Sequence, residues 1–214
     1  MTTRRRLQDI YDRLFEHFGP QRWWPAESAF EVMVGAVLTQ NTNWRNVTVA
    51  IDRLREGDFL RFERLAALAE AELAEMIRPS GYFNVKARRL LNLLRMIGEL
   101  YDGEPERMLT DEIETARARL LAVTGIGEET ADSILLYAGN QPVFVVDAYT
   151  YRICSRHQLI DEECDYRRLQ EVFMDNLPRD AALFNEYHAL LVMAGKHYCK
   201  KKTPLCERCP LWEV

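Results

Sequence analysis

Apolar residues return every three or four positions along almost the whole chain, a period that a helix can bury and a strand cannot. Leu7, Ile10, Leu14 and Phe18 share one helical face, as do Leu90, Leu94, Ile97 and Leu100, and later Leu183, Tyr187, Leu190 and Leu191. The segment FEVMVGAVL (30–38) is apolar almost all round, which predicts a helix in the middle of the fold. Strand character is confined to Val143-Phe144-Val145-Val146. That run is short and bounded by Pro142 and Asp147, so it reads equally as a strand or as a buried extended connector. Breakers fall at Gly19-Pro20, Pro79-Ser80-Gly81, Gly125 to Gly127 and Gly139 to Pro142. The expected fold is all-α, with about ten helices and short connections.

A chain of 214 residues with 48% hydrophobic content can bury a core as one large domain or as two lobes. No apolar run is long enough to span a bilayer, so no membrane partner is expected. The basic N-terminus MTTRRRLQDI has no apolar segment behind it and is not a secretory signal, which makes a cytoplasmic location the expectation. The net charge of −5 weighs mildly against nucleic-acid binding. Only the field at the binding face matters, however. Basic clusters stand at Arg4 to Arg6, at Lys86, Arg88 and Arg89, and at Lys200, Lys201 and Lys202. Each of them taken singly reads as well as a solvated surface.

The most specific local pattern is LLAVTGIGEETADSILLYA (120–138). One helix ends near Val123 and another starts at about Glu128. Gly125 and Gly127 flank Ile126, where glycine permits positive φ and close backbone approach. Free N–H groups at the start of the second helix suit an anion such as a DNA phosphate. An ordinary tight turn would look the same. About eighteen residues after the hairpin, VFVVDAYTYRI (143–153) delivers one carboxylate, Asp147, at a helix start. Taken alone, an aspartate there is explained more readily as a plain N-cap than as a catalytic group.

Taken together, the hairpin, the Gly/Pro loop and the aspartate resemble the helix-hairpin-helix glycosylases typified by endonuclease III. GAVLTQNT (35–42), IRPSGYFNVKARRL (77–90) and HALLVMAGKHYCKKKTPLCERCPL (188–211) resemble further segments of that superfamily, in the same order. The resemblance implies two helical lobes, residues 21–140 and residues 1–20 with 141–214, with double-stranded DNA bound across the cleft between them. It implies a monomer that excises a damaged base with Asp147 as the essential carboxylate. Gln40 and Tyr82 would wedge into the duplex as the nucleotide flips out. Gly125, Ile126, Gly127 and Thr130 would meet the DNA backbone, with a cation at the hairpin.

Bifunctional members carry a lysine where this chain has Glu129. Glutamate cannot form an imine, so hydrolysis without strand cleavage is expected. The stretch QRWWPAESAFEVMVGAVLTQNTNW (21–44) resembles a bacterial 3-methyladenine glycosylase branch. By that resemblance Trp23, Trp24 and Pro25 line the base pocket, Trp44 stacks on the flipped base, and Glu129 contributes to the same pocket. A cationic alkylated purine suits aromatic faces. The alternatives are an endonuclease III-like enzyme acting on oxidised pyrimidines or mismatched bases, and a helix-hairpin-helix binding module without catalysis. Asp147 after a complete hairpin argues against the module.

Five cysteines, an odd number, argue against a disulfide scaffold and for reduced thiols or a metal. Cys199, Cys206 and Cys209 have the spacing C-x6-C-x2-C. The resemblance implies a [4Fe-4S] cluster whose fourth cysteine would fall one position beyond Val214. A zinc site with His197 as fourth ligand is the alternative. The cluster would fix the loop bearing Lys200, Lys201 and Lys202 against DNA phosphates.

Overall fold

The computed structural model describes residues 2–212. Among them twelve α-helices and no strand are found, so the fold is all-α. The chain divides into two compact units, Met1–Pro25 with Asn140–Val214, and Ala26–Gly139. The chain thus leaves the first unit after Pro25, later than the boundary at residue 21 drawn from the sequence.

In the Ala26–Gly139 unit, the uniformly apolar segment forms α2 (Ala29–Leu38), and every residue from Phe30 to Leu38 is buried. Ser28 caps it, accepting from the Glu31 amide at 3.1 Å. The buried Glu31 carboxylate accepts from Arg55 Nη2 at 2.7 Å, so the one charge on this helix is paired. Around α2 lie α3 (Trp44–Glu56), α4 (Phe62–Ala66), α5 (Glu70–Met76), a 3-10 turn at Arg78–Ser80, α6 (Phe83–Tyr101) and α7 (Pro105–Leu109). The pair α8 (Ile113–Ala122) and α9 (Glu128–Ser133) ends the unit, α9 widening into a π-helix over Ile134–Ala138. Leu90, Leu94 and Ile97 of α6 are buried as their spacing predicts, whereas Leu100 is exposed and the neighbouring Tyr101 takes the inward position.

The other unit contains α1 (Thr3–Phe18), α10 (Ala148–Arg156), α11 (Tyr166–Met174) and α12 (Ala181–His197). Its core is aromatic. Phe144 stacks on Phe173 with centroids 3.9 Å apart, and Tyr187 meets both rings edge-on. The Tyr187 hydroxyl, which has to be satisfied where it is buried, donates to the Leu7 carbonyl at 2.8 Å. Val143–Val146 is buried but forms no strand: it is the extended connector. Its polar groups are satisfied by α11 side chains instead of a neighbouring strand. Gln170 Nε2 donates to the Phe144 carbonyl at 2.7 Å, and the Val146 amide donates to the Tyr166 hydroxyl at 3.4 Å.

Candidate functional site

Because the connector is apolar and buried, the first polar residue after it emerges at a helix start. Asp147 is the N-cap of α10. Its Oδ1 accepts from the amides of Tyr149 and Thr150, at 2.9 and 2.7 Å, and from the Thr150 hydroxyl at 2.9 Å. Oδ2 makes none of these three bonds and lies 3.8 Å from Nε2 of His188 on α12. Burial lowers the pKa of His188, outweighing the pull of the Asp147 charge, so the neutral imidazole is favoured. The Tyr149 ring lies against Gly195, where a Cβ would collide with it, and α10 and α12 approach closely there. Asp147 therefore caps a helix and keeps one oxygen out of the cap.

Trp23 and Trp24 are half-buried and edge-on, 6.1 Å between centroids, while Pro25 is exposed. Lys196, one residue before the end of α12, places Nζ 5.5 Å from the Trp23 centroid. Burial lowers the Lys196 pKa, and Asp147 opposes that shift. His188 and Lys196 are the neighbours of Asp147 and Trp23 that the sequence reading missed; their spacing of eight residues on α12, two helical turns and a little more, was the available signal.

The remaining pocket and wedge candidates belong to the Ala26–Gly139 unit. Trp44 begins α3 and is half-buried, and Glu129 is exposed in the first turn of α9. Tyr82 is 70% exposed at the N-terminus of α6, with φ 46°. Gln40 is held. Its Oε1 accepts from Arg89 Nη1 at 2.5 Å, and its Nε2 donates to the Gly125 carbonyl at 3.1 Å and to the Thr130 hydroxyl at 2.9 Å.

In the hairpin only Gly125 has positive φ, +101°, and a Cβ there would collide with the Arg89 stem. Gly127 is extended and its missing side chain faces open space, so of the two glycines only Gly125 uses the conformational freedom that glycine permits. The Ile126 and Thr130 side chains are buried, Thr130 spending its hydroxyl on Gln40. That leaves backbone groups at these two positions for any outside partner. Arg117 on α8 grips the fully buried Asp132 on α9 through two bonds, 2.7 and 3.1 Å, and locks the two helices of the hairpin together.

Cys199, Cys206 and Cys209 line one cavity of about 250 Å³ with Ile153, Leu211 and Trp212. Cys199 Sγ accepts from Arg156 Nη1 at 3.2 Å. Burial and the two neighbouring cysteines push the Cys209 thiol up. Among the described residues no group of His, Cys, Asp or Glu converges as ligands of a single ion. His197 turns instead toward the Phe18 ring, 6.1 Å away, which disfavours the zinc arrangement. Three thiols spread around an apolar cavity fit a multi-iron cluster, whose ligands sit at separate corners. Lys200, Lys201 and Lys202 are exposed, and Arg156 donates to the carbonyls of Lys200 and Lys201 at 2.9 and 3.1 Å.

The model for the HhH-GPD superfamily of base-excision DNA repair proteins matches residues 34–179, a span that includes the hairpin and Asp147. The chain belongs to the HhH-GPD superfamily. Its relatives include a provisionally named DNA repair glycosylase of Methanocaldococcus jannaschii, 47% identical over 97% of this chain and 94% of that protein. Endonuclease III of Thermotoga maritima is 29% identical over 84% of this chain and 79% of its own. Among solved structures, the 3-methyladenine DNA glycosylase of Helicobacter pylori bound to 1,N6-ethenoadenine has a TM-score of 0.75 at 29% identity, covering 92% of this chain and 98% of that one. A trapped endonuclease III–DNA intermediate shares the fold, with a TM-score of 0.84 at 24% identity over 99% of this chain and 94% of that one. This HhH-GPD chain is a base-excision DNA glycosylase and a DNA-binding protein.

Proposed function

We propose that this glycosylase hydrolyses the N-glycosidic bond of an alkylated, cationic base such as 3-methyladenine, without strand cleavage. The observation that carries the reading is the division of labour within Asp147: Oδ1 is consumed by the cap of α10, and Oδ2 stands clear of it. As the bond to the base breaks, its electron pair leaves with the base and positive charge grows on the deoxyribose. Oδ2 stabilises that charge, and water completes the hydrolysis at the same carbon. A cationic purine leaves as a neutral molecule and needs little protonation. Glu129 in place of a hairpin lysine supports release without an imine. The likeness to the 3-methyladenine glycosylase, together with Trp23, Trp24, Pro25 and Trp44 at the positions that resemblance implies for the pocket, supports the alkylated base.

Cys199, Cys206 and Cys209, with a fourth ligand, would hold a four-iron cluster, which would supply a rigid anchor for the basic loop. Arg156 ties that loop to α10, the helix that Asp147 caps, and Lys200, Lys201 and Lys202 meet phosphates. Gln40 and Tyr82 enter the duplex around the flipped nucleotide.

The deciding experiment is a panel of duplexes, each with one lesion, scored for base release with and without alkali. Release of 3-methyladenine well ahead of any oxidised pyrimidine, with strand breaks only after alkali, is the expected result. Preference for oxidised pyrimidines with alkali-independent breaks would establish the endonuclease III-like reading instead.

A further inference from the structure

Lys86 lies on α6, in the same unit as Gln40 and Tyr82, and only 1% of it is exposed. A buried ammonium is costly unless hydrogen-bond acceptors offset its desolvation. Its Nζ donates to the Leu38 carbonyl at 2.8 Å and to the Ser80 carbonyl at 2.7 Å. Leu38 is the last residue of α2 and Ser80 the last of the 3-10 turn, so both carbonyls are helix-end acceptors that lack a partner within their own helix. Each also stands two residues ahead of a duplex-facing side chain: Leu38 before Gln40, Ser80 before Tyr82.

We propose that Lys86 is a positioning residue that joins the two loops carrying Gln40 and Tyr82, so that both side chains meet the duplex in one fixed relation. The inference rests on the reading of Gln40 and Tyr82 as wedges. The loops need such a tie because their backbones turn sharply. Asn41 has φ 52°, and Gly81 and Tyr82 follow one another at φ 70° and 46°. Tyr82 projects into solvent, 70% exposed, so its aim depends strongly on the backbone that carries it. A leucine or methionine would fill the space behind the loops, but only a cation of this length reaches both carbonyls. Burial and the adjacent Arg89 guanidinium lower the Lys86 pKa to about 8, a penalty that an apolar residue would avoid. Arg89, one turn along α6, completes the arrangement by holding the Gln40 side chain itself.

The test uses the full chain and two duplexes of one sequence, one undamaged and one carrying a tetrahydrofuran abasic analogue beside 2-aminopurine. Affinity gives discrimination, and 2-aminopurine fluorescence reports unstacking. Lys86→Met should lower discrimination about tenfold, the scale of a lost buried hydrogen bond to a charged group, with affinity for undamaged DNA little changed. It should also lower the fluorescence gain at saturation. Added to Gln40→Ala/Tyr82→Ala, Lys86→Met should cost nothing more, because the joined side chains are already gone. Lys86→Gln, whose shorter, uncharged amide still donates but is not expected to reach both carbonyls, should be intermediate, and it carries the test if the methionine variant does not fold. Folded Lys86 variants with normal discrimination and unstacking, or a loss that adds in full to the double variant, would overturn the proposal. If the double variant itself discriminates normally, the wedge reading falls and takes this proposal with it. That outcome is distinct from one in which the double variant fails and Lys86→Met does not.

Discussion

The Thr150 hydroxyl donates to Asp147 Oδ1 at 2.9 Å, the same oxygen that accepts two amides at the start of α10. One oxygen orients the carboxylate, and the other stands outside the cap. Asparagine is as good an N-cap as aspartate, so Asp147→Asn should keep the helix and remove only the charge. Single-turnover base release should fall by about 10²–10⁴-fold, the usual reach of a positioned acid or base, while lesion-DNA affinity stays nearly intact. Thr150→Val should lower the rate more mildly. Near-normal turnover in Asp147→Asn would show that the carboxylate has been misassigned.

Glu129 sits exposed in the first turn of α9 and has no amine to offer. Borohydride added during turnover should therefore leave no covalent protein–DNA adduct. Efficient trapping, with the attached residue identified by peptide mapping, would overturn hydrolysis alone and point to another amine such as Lys196. Glu129→Lys tests whether the position can be turned toward imine chemistry.

Trp44 offers a π face, and a cation over such a face gains on the order of 0.5–2 kcal/mol depending on desolvation. Trp44→Phe should be mild. Trp44→Ala should slow release of a cationic base more than release of a neutral one, when kcat/KM is compared on 3-methyladenine and a neutral lesion. Equal losses on both would mean selection by shape.

Cys206→Ser should reduce iron content and the thiolate-to-iron absorbance of the purified protein, and with them affinity for undamaged DNA, because the loop of Lys200, Lys201 and Lys202 would lose its anchor. Arg156→Ala should weaken the same affinity, since the bonds to Cys199, Lys200 and Lys201 all end on that guanidinium. Unchanged DNA affinity in a Cys206→Ser protein stripped of iron would separate the loop from the cluster.

His188 is buried with its pKa below the ordinary 6.5. An unfolded chain then takes up a proton near 6.5 that the folded chain refuses, so this residue's contribution is intact above that pH and is lost as pH falls below it. The slope cannot exceed about 1.4 kcal/mol per pH unit for one proton. Denaturation midpoints measured across this range should fall toward acid in the native protein and fall less steeply in His188→Gln. A slope unchanged by the substitution would assign the acid sensitivity elsewhere.

Much of this molecule was legible in the chain because the signals are local. Helical period, the all-round apolarity of α2, and the turn chemistry of the hairpin depend on neighbours a few residues apart. The same holds for Asp147, which follows a run that must be buried and precedes a helix that needs a cap. The strand-like reading of Val143–Val146 was undecided for the opposite reason. Whether such a run pairs with a strand depends on what lies beside it, and here the Gln170 and Tyr166 side chains take its polar groups.

Sequence by itself determined the helical class, the placing of the hairpin and its aspartate, and the cluster of cysteines, since each is written in spacing along the chain. Tertiary structure alone decided which oxygen of Asp147 is spent, that His188 faces the other, and that Gln40 is held by Arg89 and Thr130. It also decided that Lys86 is buried between two carbonyls when its basic neighbours suggested a solvated patch. A lysine's charge is local, but the cost of burying it and the acceptors that offset that cost are set by residues 48 and 6 positions away.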